Sequence, residues 1–323
     1  MRIEKKEEWL PLEVHTAQVA PGEHELIRMR VGRLPSNTPI HLYVHVYRST
    51  EPGPTLLVLA GVHGDEINGV EIVRRAVVSG VFEKLQRGTV IAIPLLNIYG
   101  FNNFSREVPD GKDVNRSFPG TRSGSLAARV ARILSRKILP LVDFGVDFHT
   151  GGRSLYNHPQ IRYTRGDERA QELARTFAAP VLLAQRPIPK SLRKVAHDAG
   201  KPILVFEGGE SQRFDGFAIE NGLAGLQRLM HAQQMLPEAP DPPARSLHFE
   251  KTSWVRAARA GIFRWTKRSG HFVRRGEPLG FLTDPHGQDE VPVVAPRDGF
   301  LIGQNNAPVV SQGDALFHLA FEG

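Results

Sequence analysis

His63 and Glu66, three residues apart in Gly61-Val62-His63-Gly64-Asp65-Glu66-Ile67-Asn68-Gly69, are the first residues of this chain that could act together chemically. Imidazole and carboxylate are both metal ligands, and glycines on either side let the backbone fold tightly around one point. Such a pair alone is common by chance. A third donor is offered by His149, at the end of the expected strand Val142–Phe148. Two histidines and one glutamate, with the fourth position left to water, form a recognised catalytic zinc arrangement. The chain has no cysteine, which excludes disulfides, thiolate zinc sites, Fe–S clusters and a cysteine nucleophile. Any metal must therefore be held by His and carboxylate.

Two further groups of residues invite chemistry. In the segment Arg106–Gly120, the turn Pro109-Asp110-Gly111 is followed by Asp113, Asn115 and Arg116. An amide beside a guanidinium fork suits a carboxylate ligand, because the fork gives paired, charge-assisted hydrogen bonds. The same segment reads equally as a loop held by its own Asp–Arg and Asx hydrogen bonds. In Phe206-Glu207-Gly208-Gly209-Glu210, Glu207 ends an apolar run. A partly desolvated carboxylate there suits a general base. Glu210, past the two glycines, reads as a solvated or capping residue. Arg162 and Tyr163 follow His149 closely and read more readily as surface or turn residues than as walls of a site.

Elements that position these residues are visible in the apolar pattern. Continuous apolar runs at 55–61, 89–97, 141–149 and 201–209 predict strands buried on both faces, and 40–47 predicts a strand of an N-terminal hairpin-like region. Helical patterns occupy 67–79, 125–139 (with Ser125 as a cap), 168–178 and 215–234. Alternation of buried strands with helices predicts an α/β unit with a mostly parallel sheet, whose site lies beyond the carboxyl ends of the strands. His63, Glu66, His149 and Glu207 all fall at such ends. Four prolines within 237–243 mark a linker. The expected division is a catalytic unit over 1–235, a Pro-rich linker over 236–246 and a small β-rich unit over 247–323. The last unit holds an echo: Gly261-Ile262-Phe263 and Gly299-Phe300-Leu301 are each followed by V-x-x-G-x-x-L. It resembles the barrel-sandwich hybrid of biotinyl and lipoyl domains, but 281–296 carries no lysine for a swinging arm.

A chain of 323 residues, 41% apolar and 23% charged, suits two globular units. Its net charge of +7 comes from dispersed Arg and Lys without an aromatic-studded basic run, so no nucleic-acid partner is expected. The charged opening, MRIEKKEEWLPLEV, lacks an apolar signal-peptide core, and no apolar run approaches a membrane span. The default expectation is a cytoplasmic protein with no membrane partner and a possible homo-oligomeric state.

Taken together, His63-x-x-Glu66, Asp113-Val114-Asn115-Arg116-x-Phe118-Pro119-Gly120, Asp147-Phe148-His149-Thr150-Gly151 and Glu207-Gly208-Gly209 resemble the succinylglutamate desuccinylase/aspartoacylase family, which is similar to the zinc carboxypeptidases. The resemblance spans about residues 20–235, and the linker and β-rich tail also look like those of the family. It implies one zinc ion held by His63, Glu66 and His149. It implies Glu207 as the base that takes a proton from the attacking water and returns it to the leaving amine. Asn115 and Arg116 match positions that hold the substrate carboxylate, Arg106 looks like the arginine that polarises the scissile carbonyl, and Asp147 orients a ligand histidine. Arg106 stands further from Asn115 here than in aspartoacylase, because of the intervening turn. The implied activity is hydrolytic removal of an acyl group from a small N-acyl amino acid or related amide. The alternatives are a metallocarboxypeptidase acting on short peptides, which predicts a wide cleft, and a binding protein that kept the zinc fold without catalysis.

Overall fold

The computed structural model describes residues 9–322, and the start of the charged N-terminal stretch, residues 1–8, lies outside them. Apolar runs form the centre of the large sheet because both of their faces are covered. Every residue of Thr55–Ala60, Thr89–Ile93 and Phe144–Gly151 is buried. These strands lie in parallel in the order Thr89–Ile93, Thr55–Ala60, Phe144–Gly151, and Ile203–Glu210 continues the parallel set. Because side chains alternate along a strand, neighbours serve different cores. Leu56, Val58 and Ala60 pack with Phe148, Phe177 and Phe206, whereas Leu57 and Leu59 pack with Val114, Val130 and Leu134. Helices Ile67–Val78, Glu168–Phe177 and Gly216–Ala232 cover the first face, and Leu126–Ile133 and Leu192–Asp198 the second. This is the expected α/β fold, a mixed sheet flanked by helices, with its parallel strands at the centre and antiparallel pairings towards both edges. An antiparallel hairpin, His24–Arg33 with Pro39–Arg48, extends one edge beside Thr89–Ile93.

The order of the strands creates the site. After Thr55–Ala60 the chain crosses to Thr89–Ile93 on one side and later returns to Phe144–Gly151 on the other. Such a reversal leaves a crevice at the carboxyl ends of the strands, and His63 and Glu66 follow Ala60 directly into it.

One strand escapes the apolar pattern. Leu155–Thr164 mixes Asn157, His158, Gln160 and Arg162 with its apolar residues, so no run appears in the sequence. It pairs antiparallel with Ile203–Glu210, parallel with Val181–Gln185, and through Leu155–Asn157 antiparallel with Gly299–Asn305. It is thus the seam between the large sheet and the C-terminal unit. That unit folds antiparallel strands, among them Gly261–Trp265, Pro278–Thr283, Gly299–Asn305 and Ala315–Phe321, around Phe263, Leu279, Leu282, Leu301 and Phe317. Leu247–Phe249, just past the proline-rich segment, joins the large sheet beside Val181–Gln185. No helix among the described residues is long and apolar enough to cross a membrane.

Candidate metal centre and its pocket

Close backbone packing brings the first two candidate ligands to the crevice. A methyl group on Gly64 would lie 2.0 Å from the backbone of Gly100 and Phe101, and one on Gly69 would lie 2.5 Å from the Phe148 carbonyl oxygen. Only hydrogen fits at either place, so the His63 loop and the helix behind it press against their neighbours. Glu66 sits immediately before the helix Ile67–Val78. On the neighbouring strand, Asp147 and His149 are two residues apart and share one face, while Phe148 turns into the opposite core.

His63, Glu66 and His149 converge, each buried, with one ligand atom apiece within 4.8 Å of one another. His63 Nδ1 lies 2.7 Å from Glu66 Oε1, His149 Nδ1 lies 2.8 Å from Glu66 Oε2, and the two Nδ1 atoms are 3.2 Å apart. Each imidazole turns its other nitrogen to a carboxylate: His149 Nε2 to Asp147 at 2.8 Å and His63 Nε2 to Asp113 at 3.2 Å. A hydrogen donated from each Nε2 leaves both Nδ1 lone pairs facing the Glu66 carboxylate. Buried lone pairs and a carboxylate repel one another; Arg106 Nη1, 3.2 Å from both His63 Nδ1 and Glu66, offsets part of this, and a cation held among the three ligands would offset the rest. Bonds of 2.0–2.2 Å in a tetrahedral site put ligand atoms roughly 3.3 Å apart, which the 3.2 Å between the two Nδ1 atoms approaches, while both nitrogens stand closer to Glu66. The donor set and its spacing fit a metal ion.

The imidazoles compete for protons as well. Burial opposes charge on both rings, but Glu66 and the carboxylates on the Nε2 side outweigh it and raise both above the ordinary 6.5. Burial also pushes Glu66 up, yet the two imidazoles hold it well below the usual carboxylate range. Because a raised imidazole pKa means protonation begins at higher pH, metal affinity is expected to fall as pH drops, starting above pH 6.5. Affinity measured between neutral and acid pH checks this, and a flat profile down to pH 6.5 contradicts it.

The eight residues given a role from the sequence line one cavity of about 450 Å³: His63, Glu66, Arg106, Asn115, Arg116, Asp147, His149 and Glu207. Arg106 spans two carboxylates, with Nη1 3.2 Å from Glu66 and Nη2 2.9 Å from Asp113. Asn115 accepts a hydrogen bond from the Leu192 backbone at 3.0 Å, which leaves its amide hydrogens for a ligand. Arg116 is exposed and, among the described residues, donates only to the Asn115 carbonyl, at 2.8 Å. The Asx hydrogen bond is also present, from Asn115 N to Asp113 at 2.6 Å. Glu210 is held by Asn306 at 2.8 Å and does not line this cavity.

The structure corrects the reading of Arg162. It is a strand residue in the cavity wall, 3.0 Å from Glu207 Oε1, whereas Tyr163 points into the opposite core. The two-residue alternation of the strand separates them. Arg193 and Trp254 were missed as members of the site, and Asp113 was singled out without its role towards His63. Asp113 mirrors Asp147 by holding the second imidazole; its carboxyl is pushed up by burial but held well below its usual range by His63 and Arg106. The crowding of Asp113 with Asn115 and Arg116 was the available signal. Asp113→Asn is expected to weaken metal binding about 10–100-fold, as loss of such an orienting partner generally does. Unchanged affinity in a metal titration contradicts this. Arg193 is buried, donates to the Arg186 carbonyl at 3.3 Å and has an Nη1 without a partner; burial lowers its pKa to about 10. Trp254 brings the C-terminal unit into the cavity wall and stacks on buried His318, ring centres 4.1 Å apart.

Residues 52–233 match the succinylglutamate desuccinylase/aspartoacylase catalytic domain. The chain belongs to this family. It is 29% identical over 284 residues to the N-alpha-acetyl-L-2,4-diaminobutyric acid deacetylase of Halomonas elongata, covering 83% of this chain and 82% of that protein. Among solved structures, a succinylglutamate desuccinylase/aspartoacylase from Rhodobacter sphaeroides superposes with a TM-score of 0.83 at 25% identity, over 93% of this chain and 96% of that one. The product-bound ectoine utilization protein EutE (DoeB) from Ruegeria pomeroyi shares the fold, with a TM-score of 0.84 at 22% identity, over 96% of this chain and 98% of that one. Family membership places the chain among deacylases. It also agrees with the order of motifs from which the resemblance was drawn.

Proposed function

We propose that the protein is a zinc-dependent amidohydrolase that removes an acyl group from a small N-acyl amino acid or related amide. The observation that carries this reading is the convergence of His63, Glu66 and His149 in the same cavity as Glu207 and Arg106. Zinc held by the three ligands would activate water at neutral pH and polarise the amide carbonyl. Glu207 takes the proton of the attacking water and passes it to the departing nitrogen. Arg106 donates to the carbonyl oxygen as charge gathers there. Asn115 and Arg116 hold the substrate carboxylate through the amide hydrogens and guanidinium that the protein leaves free. Asp147 and Asp113 fix the two imidazoles. We place the catalytic unit before the proline-rich segment 236–246 and the enzyme in the cytoplasm.

Substrate size favours a deacylase over a peptidase. A cavity of about 450 Å³, walled on one side by Trp254, suits a small molecule rather than a peptide chain. Its charge favours an acidic ligand, because among the described residues Arg193 and Arg116 have no carboxylate partner and every lining carboxylate is already paired. A second amino group, as in the compound for which the Halomonas elongata relative is named, finds no free carboxylate there. The test is zinc content of the purified protein together with release of free amine from N-acetyl, N-succinyl and N-formyl amino acids. Full zinc occupancy without hydrolysis of any of them would exclude the deacylase reading.

A further inference from the structure

Glu207 does not stand alone in the cavity wall. Arg162 Nη1 lies 3.0 Å from its Oε1, and Asn157 Nδ2 donates to its Oε2 at 2.9 Å. Both partners come from the seam strand Leu155–Thr164, and both are tied to the C-terminal unit. Asn157 faces Gly303 across the strand pair, where a methyl group on Gly303 would lie 3.0 Å from the Asn157 side-chain oxygen. Arg162 Nε donates to Gln160 Oε1 at 3.3 Å, and Gln160, fully buried, donates through Nε2 to the Ile302 carbonyl at 3.0 Å. Two routes therefore run from Gly299–Asn305 to the two oxygens of one carboxylate. On the Glu207 side, pairing with the seam strand shifts register between Glu207 and Gly209, so the regular ladder gives the carboxylate no support beyond that point.

We propose that the C-terminal β unit is a working part of the active site, positioning Glu207 through Gln160 with Arg162 and through Asn157. Arg162, Asn157 and Gln160 are positioning residues, and the inference rests on the reading of Glu207 as the base. A base aimed by two donors on separate oxygens is held in one rotamer, which fixes its reach to the attacking water. Supporting strands do this better than a loop, because the hydrogen-bonded ladder limits their movement. The arrangement also gives the β-rich tail a role without a swinging arm.

The test uses the full-length, zinc-loaded enzyme and single variants Arg162→Gln, Arg162→Lys and Gln160→Met, each also combined with Glu207→Gln. Arg162→Gln and Gln160→Met are expected to lower kcat about tenfold or more, with KM within about twofold and zinc content unchanged. Arg162→Lys should recover part of the loss. In the Glu207→Gln background the same changes should have no further effect, because there is no base left to aim. A crystal structure of Arg162→Gln should show the Glu207 carboxylate displaced. Full kcat in Arg162→Gln and Gln160→Met, losses that multiply with that of Glu207→Gln, or a carboxylate that keeps its place would each overturn the proposal. If Glu207→Gln itself keeps full turnover, the base assignment fails, and that result is separate from any failure of the positioning network. Gln160 is buried, so Gln160→Met is judged only alongside its melting temperature, and the solvent-accessible Arg162 series carries the conclusion if that variant unfolds.

Discussion

Glu207→Gln should leave the metal in place and lower kcat by about 10²–10⁴-fold, the usual contribution of a positioned acid–base group. The amide preserves the shape of the side chain and accepts from Asn157 or Arg162 much as the carboxylate does, so the fold has little reason to change. What disappears is the ability to take a proton. Because Glu207 is not among the three converging ligand residues, zinc stoichiometry should match that of the unaltered protein. A variant that loses the metal along with turnover would mean that ligand and base have been interchanged. Normal turnover with full metal would move the base elsewhere.

His149→Ala should empty the metal centre and reduce hydrolysis to background. Loss of an orienting partner costs about 10–100-fold in metal affinity, and removal of the ligand atom itself should cost more. The effect is not confined to the metal. Asp147 is 1% exposed and Glu66 2% exposed, and both would lose a partner within 2.8 Å. Glu66 keeps His63 and Arg106, but Asp147 loses its imidazole partner, and a buried carboxylate left unpaired is strongly destabilising, so the melting temperature is expected to fall too. Asp147→Asn provides the graded comparison: weaker metal binding with the ligand atom still present. If His149→Ala binds zinc as tightly as the unaltered chain, the three residues do not share an ion and the roles given to Glu207 and the arginines lose their basis.

The sequence determined the parts of this protein that depend on local pattern. Runs such as Thr55–Ala60 and Phe144–Gly151 had to become buried strands, because a continuous apolar segment has no face to offer water. The four motifs, in order, pointed to the family, and the absence of cysteine limited any metal site to nitrogen and oxygen donors. Tertiary structure decided what each polar residue faces. Asp113 reads as one member of a crowded loop until the fold lays it against His63, fifty positions away in sequence. Arg162 reads as surface until Leu155–Thr164 enters the sheet, and its mixed polar content hides that strand because it borders a polar cavity as well as a core. Arg193 lies on a short helix with too few turns to show a periodic pattern, and only packing reveals a guanidinium buried without an anion. Apolar burial is written in neighbouring residues, whereas a polar site is assembled across strands that lie far apart along the chain.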